Sequence, residues 1–390
     1  MISLTELKKN VDTINFDLDS YKDKNYLTHN FHPYPAKFIP QIPNQLIKKL
    51  SFSNETVLDP FCGCGTTLVE AKLLSRNSIG IDINPLACLI SKVKTAVLDD
   101  KEISEVKSTL SSIFLDISSL YNTTLDSNHH KIQYNIPNFY NREYWFKNFI
   151  SEELSIIKAH IEKINDENVK NFLKVAFSSI ITPVSNQESD TRYVAVEKKL
   201  HPMITIKLFS SKVNDMIVRI QKFKNLCSNC YSKVYHHSSR NISFLDDNSL
   251  DLVITSPPYL NSYDYYLYHK HRMQWLDMDY RYAQEYEIGS RHKHSDKNES
   301  VDTYANKIGD VLYETNRVLK DERYCCIVIG DAIKNGKLIK MNEIMDSIAI
   351  ENGFKKRREI IFDQRKYTKA FTKNIKKTHK NSYILIYQKS

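Results

Sequence analysis

Apolar residues along this chain fall into two kinds of run. Short uninterrupted runs rich in β-branched residues, typical of buried strands, are followed by glycine-containing or polar turns and then by stretches with apolar residues at helical spacing. The strand-like runs lie at 56–59, 78–81, 250–255, 324–329, 359–362 and 382–387. Strands that alternate with helices predict an open, twisted α/β sheet, and the last two runs predict a terminal hairpin.

Between the second and third of these runs the pattern is helical instead. Apolar residues recur at helical spacing in the stretches 103–117, 154–164, 169–180 and 206–220. The fold class predicted is therefore α/β: a Rossmann-like open, twisted, mostly parallel sheet with a C-terminal antiparallel hairpin, plus a helical insertion. The expected segments are residues 1–99 with the first part of the sheet, the insertion at 100–235, and residues 236–390 with the second part of the sheet.

Composition argues against a membrane-spanning chain and against a disulfide framework. Of the 390 residues 41% are hydrophobic, but no stretch approaches the roughly eighteen uncharged apolar residues that a membrane helix needs. The N-terminus has no signal-peptide core, so we expect a cytoplasmic protein. Seven cysteines within core-like or turn-like segments suit a reducing compartment. Cys227 and Cys230 form a single CxxC pair without a second pair, and we therefore predict no metal site.

The formal net charge is +9, and basic residues crowd the last forty positions. Such clusters neutralise phosphates and release counterions, which favours a polyanionic partner. Solvated surface lysines explain the same composition, so charge alone leaves both interpretations open. The candidate residues for contact with a polyanion are Arg192, Lys373, Lys376 and Lys377.

The first motif with chemical content joins a predicted strand to a predicted helix. Asp59 ends the strand, and Gly63 and Gly65 follow in a tight loop where the absence of a Cβ allows close approach to a ligand. A dinucleotide fingerprint would have a third glycine where this chain has Leu68, and Asp59 would repel a pyrophosphate. A ligand with a cationic group, such as the amino group or sulfonium of S-adenosylmethionine, fits better. A purely structural turn is the alternative.

A second carboxylate follows the next predicted strand. Asp82 lies nineteen residues after Gly63, near the spacing at which an acidic residue reaches a ribose hydroxyl in nucleotide-binding α/β folds. A role as a turn or N-cap residue is the alternative, because Asn84 and Pro85 begin the next predicted helix. Combined with the glycine loop, the spacing favours the ribose.

The second centre is the tetrapeptide Ser256–Tyr259, Ser-Pro-Pro-Tyr, which follows the predicted strand 250–255. Two consecutive prolines restrict the backbone, so that carbonyl groups project rigidly from the strand end, and Tyr259 adds an aromatic face. Carbonyl acceptors beside a ring suit a planar group with an exocyclic amine. A Pro-Pro turn with a packed tyrosine is the structural alternative. Because ligands of open α/β sheets bind at the carboxyl ends of strands, we expect this tetrapeptide near Asp59, Asp82 and Gly330.

Together these motifs resemble the S-adenosylmethionine-dependent amino-methyltransferases of DNA. Residues 59–67 are similar to the cofactor loop of that family, and Ser256–Tyr259 resembles its catalytic tetrapeptide in the form more typical of N4-cytosine than of N6-adenine enzymes. The segment Phe31–Phe38, rich in proline and aromatic residues, is similar to the family's N-terminal cofactor-closing segment. Here the cofactor loop precedes the catalytic strand, unlike the circularly permuted group.

The resemblance implies a role for individual residues. It places Asp59, Phe61, Gly63 and Gly65 around the methionine portion of the cofactor, Asp82 at the ribose and Lys37 near the cofactor carboxylate. It further implies that Thr66, Ile83 and Ser238 bind the cofactor. Ser238 stands where the family often has an aspartate, and a hydroxyl both donates and accepts hydrogen bonds. The implied catalytic residues, which hold a flipped-out base, are Ser256, Pro257, Pro258 and Tyr259.

The function implied is methyl transfer to the N4 amine of cytosine in double-stranded DNA, with a restriction endonuclease as a functional counterpart and the insertion at 100–235 as a target-recognition region. C5-cytosine methyltransferases require a Pro-Cys dipeptide for their nucleophile, and no such dipeptide occurs in this chain. The alternatives are N6-adenine methylation, an RNA guanine-N2 methyltransferase and a catalytically silent DNA-binding partner.

Overall fold

A seven-stranded sheet forms the centre of the molecule. The computed structural model describes residues 4–14, 16, 23–122, 132–261, 263–296, 299–362 and 380–390. Two further two-stranded sheets lie outside the central one. The strands are β1 (Thr56–Asp59), β2 (Asn77–Asp82), β3 (Gln187–Ser189), β4 (Arg192–Ala195), β5 (Ser232–His236), β6 (Leu250–Thr255), β7 (Leu319–Gly330), β8 (Ala332–Lys334), β9 (Lys337–Ile339), β10 (Phe354–Phe362) and β11 (Ser382–Lys389).

Helices cover the sheet and build the inserted region. A 3-10 turn at Leu27–Asn30 and a π-helical turn at His292–Asp296 add to them. The α-helices are α1 (Leu4–Thr13), α2 (Gln41–Leu50), α3 (Thr66–Leu73), α4 (Pro85–Thr95), α5 (Asp100–Tyr121), α6 (Arg142–Trp145), α7 (Asn148–Glu162), α8 (Glu167–Val184), α9 (Ile204–Leu226), α10 (Tyr265–Trp275), α11 (Arg281–Tyr286), α12 (Val301–Val318) and α13 (Met341–Glu351).

The central sheet has the order β10-β11-β7-β6-β1-β2-β5. Pairing is parallel from β7 to β5, and β11 and β10 extend the sheet as an antiparallel hairpin. The predicted mostly parallel α/β sheet with a C-terminal antiparallel hairpin is confirmed. As predicted, β1, β2 and β7 end at Asp59, Asp82 and Gly330, and Ser256 directly follows β6.

Both faces of the sheet are buried, which explains the uninterrupted apolar strands. Val57, Leu252 and Ile254 pack on one face with α1 and α2, whereas Leu58 and Val253 pack on the other face with α12 and α13. Side chains alternate between the faces of a strand, so a strand buried on both sides has apolar residues at successive positions. Among the described residues no helix is long and apolar enough to cross a membrane.

The region between β2 and β6 is mainly helical. Helices α5, α7, α8 and α9 pack on one another, and the β3–β4 hairpin adds a short antiparallel sheet. Its apolar cluster also includes Ile90 of α4 and Met273 and Trp275 of α10. The helices end at Leu226, and β5 then pairs in parallel with β2 at the edge of the central sheet. The inserted helices thus share an apolar cluster with α4 and α10, which belong to the segments on either side of the insertion.

Candidate active site

A single cavity at the carboxyl edge of the sheet brings most of the predicted site residues together. It lies where β1, β2 and β6 end, and the helix α10 and residues 283–288 form another part of its wall. The predicted residues that line it are Lys37, Asp59, Phe61, Gly63, Thr66, Asp82, Ile83, Ser238, Ser256 and Pro258. Gly65, Pro257 and Tyr259 are not among the residues that line this cavity.

Asp59 lies in the wall of the cavity, but its carboxylate is occupied by the protein. It accepts hydrogen bonds from the hydroxyls of Thr67 (2.7 Å) and Thr255 (2.8 Å) and from the N–H of Phe61 (3.1 Å). Burial raises the pKa of Asp59 to about 6 although these donors favour the charged form. Asp59 therefore joins β1, β6 and α3.

Asp82 connects the second strand to the glycine loop. One of its oxygens accepts the N–H of Gly63 at 2.9 Å, and the other accepts the N–H of Asn84 at 2.8 Å. Burial raises the pKa of Asp82 to about 6, against the effect of these two hydrogen bonds. The Asn84 side chain, not Asp82, caps α4 by accepting from the N–H groups of Leu86 and Ala87. The alternative of Asp82 as the helix cap is thus not observed.

The two glycines of the loop serve different contacts. Both have positive φ, +48° at Gly63 and +77° at Gly65, where glycine is favoured. A Cβ on Gly65 would lie 2.8 Å from the Oγ of Ser91 in α4, whereas one on Gly63 would lie 3.5 Å from the ring of Tyr34. The expectation that Gly65 admits a ligand is corrected accordingly. Its missing side chain lets the loop pack on α4, and Ser91 in turn donates to the Gly63 carbonyl at 2.8 Å.

The proline- and aromatic-rich segment closes one side of the cavity. The ring of Tyr34 stacks on that of Tyr265 with a centroid distance of 5.9 Å, and Ala36, Lys37 and Phe38 also line the cavity. The Lys37 ammonium donates to the side chain of Asn25 at 2.7 Å, and burial lowers its pKa to about 8. The segment thus supplies both an aromatic wall and a cation.

A fully buried glutamate, which sequence reasoning missed, anchors this segment. Glu70 of α3 accepts hydrogen bonds from the hydroxyl of Tyr26, from the Nε2 of His29 (2.6 Å) and from the side chain of Asn44 (2.6 Å). The only available signal was a glutamate on the apolar side of a helix. Glu70 fixes the position of the residues that precede Tyr34.

The tetrapeptide after β6 turns beside the glycine loop. Ser256 and Pro258 line the cavity, and Pro257 is buried. The Tyr304 hydroxyl of α12 donates to the Pro258 carbonyl at 3.0 Å. The Tyr259 ring lies next to Gly330, where an added Cβ would be 3.2 Å from the ring. Tyr259 is thus positioned at the end of β7 instead of inside the cavity.

A second missed residue is Glu287, which lines the cavity and is only 6% exposed. Its Oε1 accepts the N–H of Tyr265 at 3.0 Å, and its Oε2 has no hydrogen-bond partner among the described residues. Burial and the neighbouring carboxylates of Asp264 and Asp82 raise the pKa of Glu287 well above its usual range. No motif marks this position in the sequence.

Arg192, one of the residues predicted to contact DNA, does not line the cavity. Arg192 is exposed in β4 and forms a 2.6 Å ion pair with Glu188. Lys373, Lys376 and Lys377 fall outside the residues that the structure describes. Within the described part of the chain, no cluster of three or more His, Cys, Asp or Glu side chains is arranged to hold a metal ion.

The chemistry of the lining suits a ligand that carries both signs of charge. Three carboxyl groups, Asp59, Asp82 and Glu287, occur with two cationic side chains, the partly buried Lys37 and the exposed Arg240, and with the apolar side chains of Phe61, Phe38 and Ile83. Such a set would repel a pyrophosphate and can accept the amino, sulfonium and ribose groups of S-adenosylmethionine, with Lys37 for its carboxylate. The residues present therefore fit this cofactor.

Two family models match the chain. The model described as DNA methylase matches residues 5–93 and 250–390, together more than half of the chain, and that described as RMKL-like, methyltransferase domain, matches residues 51–266. The first match contains both the glycine loop and Ser256–Tyr259, and it omits the inserted helices.

Similar curated proteins are type II methyltransferases. M.MvaI of Kocuria varians is 30% identical over 65% of this chain and 58% of its own length. M.MjaII of Methanocaldococcus jannaschii is 25% identical over 81% of this chain and 74% of its own length. M.BsoBI of Geobacillus stearothermophilus is 25% identical over 69% of this chain and 56% of its own length. The chain thus spans little more than half the length of the first and third of these relatives.

A TehB-like S-adenosylmethionine-dependent methyltransferase from Corynebacterium glutamicum aligns with 89% of this chain and 87% of its own, at 9% identity and a TM-score of 0.32, which is too low to carry an argument. Membership in a family instead follows from the match to the DNA methylase model. The matched residues include the glycine loop and the Ser-Pro-Pro-Tyr tetrapeptide, and both contribute residues to one cavity. This chain belongs to the family of S-adenosylmethionine-dependent DNA amino-methyltransferases.

Proposed function

We propose that this chain transfers a methyl group from S-adenosylmethionine to the N4 amine of cytosine in double-stranded DNA. The observation that carries the proposal is the single cavity that Gly63 and Asp82 share with Ser256 and Pro258. A cofactor loop and an acceptor for an exocyclic amine have to meet in one place if methyl transfer is to be direct. The choice of cytosine rests on the serine of the Ser-Pro-Pro-Tyr form.

The catalytic task is to position a poor nucleophile. The lone pair of the exocyclic amine is delocalised into the base, so the enzyme must hold the nitrogen about 3–3.5 Å from the reacting carbon and in line with the leaving group. The bound cofactor supplies an electrophilic methyl group. The carbonyl group of Ser256, a residue that lines the cavity, accepts a hydrogen bond from the amine, and the carbonyl of the adjacent buried Pro257 helps to stabilise the positive charge that develops on nitrogen. No covalent intermediate with the protein is required.

Binding of the cofactor is divided among the residues of the cavity. In this proposal Phe61, Gly63 and Thr66 surround the methionine portion, and Lys37 pairs with its carboxylate. The three remaining contacts are to the nucleoside, with Asp82 at the ribose and with Ile83 and Ser238 at the adenine. The lining positions of these side chains and the partial burial of Asp82 support the assignment. Asp59 and Gly65 act indirectly, since they hold the loop in place.

The target base reaches this cavity only after it has left the DNA stack. Flipping a base out of a duplex costs a few kcal/mol, which contacts in the pocket and to the phosphates must offset. We assign the Tyr259 ring to stacking on the extruded base. Its position beside Gly330, at the carboxyl end of β7, supports this role because the tetrapeptide follows the end of the neighbouring strand β6.

We also assign DNA recognition to the inserted region at 100–235. Its exposed aromatic residues Tyr140 and Tyr144, 84% and 60% exposed, and the β3–β4 hairpin with Arg192 supply a surface for such contacts. Lys373, Lys376 and Lys377 serve as phosphate contacts. Replacing these three lysines with glutamine should weaken DNA binding and reduce its salt dependence. An unchanged slope of log affinity against log salt concentration would remove them from the interface.

Expression of the chain in a cytoplasm that lacks it tests the proposed reaction. Single-base sequencing of modified genomic DNA, with and without the protein, should reveal N4-methylcytosine at one recurring sequence. If N6-methyladenine is the only new modification, the target base is adenine and not cytosine. If the DNA gains no new modification, the proposed DNA substrate is contradicted. The same sequence should be protected from a restriction endonuclease, which we propose as the functional counterpart.

A further inference from the structure

Glu287 is a buried carboxyl group that the proposed reaction has not yet used. It is 6% exposed and lines the cavity. The backbone N–H of Tyr265 occupies its Oε1 at 3.0 Å, and its Oε2 is without a hydrogen-bond partner in the described part of the chain. Because a buried polar atom without a partner is costly, this oxygen identifies a position where a ligand group is expected.

The charged groups around Glu287 are mostly negative. Asp264 lies at the start of α10, and Asp82 ends β2, and both raise the pKa of Glu287. The ammonium of Lys293 acts in the opposite direction and donates to the backbone carbonyl of Glu287 at 3.0 Å. The phenols of Tyr34 and Tyr265 complete the surroundings. Positive charge brought into the cavity would therefore interact favourably with this carboxyl group.

The segment that carries Glu287 packs directly on the catalytic tetrapeptide. A Cβ on Gly289 would lie 2.8 Å from the carbonyl oxygen of Tyr259, and the N–H of His292 donates to Asp264 at 2.9 Å. Glu287 thus approaches the cavity from the side of Ser256–Tyr259. If the cofactor binds here for direct transfer, its methyl group would face this tetrapeptide with the sulfur directly behind the methyl group. A carboxylate on this side of the cavity would then be near the sulfonium.

We propose that Glu287 pairs as a carboxylate with the sulfonium of S-adenosylmethionine and makes the cavity prefer the cofactor over S-adenosylhomocysteine, its uncharged-sulfur product. This inference rests on the proposed function. After transfer the positive charge has left the sulfur, and Glu287 then contributes less to holding the product. The residue therefore favours binding of the cofactor and release of the product.

If Glu287 has this role, ligand affinity should change with pH in a defined direction, because ionisation of Glu287 is linked to binding. In the free protein the raised pKa keeps Glu287 protonated to a higher pH than an ordinary glutamate, and pairing with a cation favours the ionised form. The affinity for S-adenosylmethionine relative to that for S-adenosylhomocysteine should therefore increase as the pH rises through the pKa of Glu287 in the free protein, with release of a proton when S-adenosylmethionine binds. The Lys37 ammonium, with a pKa lowered to about 8, pairs with the carboxylate that both ligands carry, so its titration cancels in this ratio.

Isothermal titration calorimetry of the full chain with each ligand, from pH 6 to pH 9, tests the proposal. Glu287→Gln keeps the acceptor for the Tyr265 N–H and removes the charge. Because one pKa unit of coupling equals a tenfold change in affinity, we expect this variant to lower the preference for S-adenosylmethionine over S-adenosylhomocysteine about tenfold at high pH. The α-amino group is common to both ligands and cancels in this ratio. Glu285→Gln, which removes an exposed carboxylate two residues away, is the matched control and should leave the ratio unchanged.

The outcomes separate this inference from the proposed function. If the wild type binds S-adenosylmethionine and Glu287→Gln lowers affinity for both ligands equally, or for neither, the charge pairing is wrong while the proposed function stands. If the wild type binds neither ligand, the proposed function fails, and the role of Glu287 fails with it. Thermal unfolding of each variant confirms that the compared proteins are folded.

Discussion

On the side of the cavity formed by β1 and β2, both carboxylate oxygens of Asp59 and of Asp82 accept hydrogen bonds from the protein. On the side formed by residues 286–288, Glu287 leaves one oxygen without a partner among the described residues. All three groups are acidic and in the same cavity, and burial raises the pKa of each. The comparison shows that protein donors hold the carboxylates of Asp59 and Asp82 in place, whereas one oxygen of Glu287 has no such donor in the described part of the chain. Because a carboxylate oxygen can accept more than one hydrogen bond, Asp82 can still accept one from a ribose hydroxyl.

The largest effect should follow the removal of the Asp59 carboxylate. Asp59→Ala leaves the N–H of Phe61 and the hydroxyls of Thr67 and Thr255 without their common acceptor, so the free energy of unfolding should fall by about 4 kcal/mol. Urea denaturation measures the change. Thr67→Val removes one of the three donors and should cost only about 1 kcal/mol. Equal costs for the two variants would show that Asp59 does not join these elements.

A smaller effect distinguishes the two glycines of the loop. Gly65→Ala combines a positive φ with a contact of 2.8 Å to Ser91, whereas Gly63→Ala meets Tyr34 at an ordinary 3.5 Å. Both substitutions place a non-glycine residue at positive φ, which costs about 1 kcal/mol. The overlap of the added Cβ with Ser91 should make Gly65→Ala about 2 kcal/mol less stable than Gly63→Ala. Thermal or urea unfolding compares the pair. A variant Gly63→Ala that is the less stable of the two would contradict the packing of the loop on α4.

The pH dependence of stability should differ between the wild type and Asp59→Ala. The pKa of Asp59 is raised from 3.8 to about 6 in the folded protein, so folding favours its protonated form. The stability that Asp59 contributes is fully present below pH 4 and is lost as the pH rises through 6. The difference in unfolding free energy between wild type and variant should be larger at pH 5 than at pH 8 by about 1.4 kcal/mol. A difference that shrinks at pH 5 would reverse the direction of this pKa shift.

The smallest effect on stability is expected at Glu287. Since the raised pKa favours the neutral acid, and glutamine retains an oxygen for the N–H of Tyr265, Glu287→Gln should change the free energy of unfolding by less than about 0.5 kcal/mol at pH 6. Urea denaturation without ligand checks this value. A loss comparable to that of Asp59→Ala would place Glu287 among the residues that hold the structure together.

The α/β architecture was predictable because the apolar runs indicate buried strands and the motifs that follow them indicate the carboxyl ends of the same strands. Strands buried on both faces leave uninterrupted apolar runs, and the acidic residues and glycines that end them mark the carboxyl edge of the sheet. Periodicity contained no information on the order of the strands. In particular, it did not indicate that β5, which follows the inserted helices, returns to pair with β2.

The site residues that belong to a local sequence motif were predictable. The roles that depend on contacts between residues distant in the sequence were not. Gly63, Asp82 and Ser256 belong to motifs that follow predicted strands, and as expected they line one cavity. The partners of Asp59 and the contact between Gly65 and Ser91 depend on residues brought together by the fold. Glu287 follows an exposed tyrosine and has no motif of its own, and only the structure shows that it is buried in the cavity wall.

Methylated nucleosides formed in vitro test the central claim most directly. Purified protein, duplex DNA of mixed sequence and S-adenosylmethionine with a deuterated methyl group should yield labelled N4-methylcytosine by mass spectrometry of the digested DNA. Tyr259→Ala should bind the cofactor like the wild type but form product about tenfold or more slowly, because stacking of a base on an aromatic ring is worth roughly 1–3 kcal/mol. Cofactor binding by the wild type without any labelled nucleoside would contradict the account.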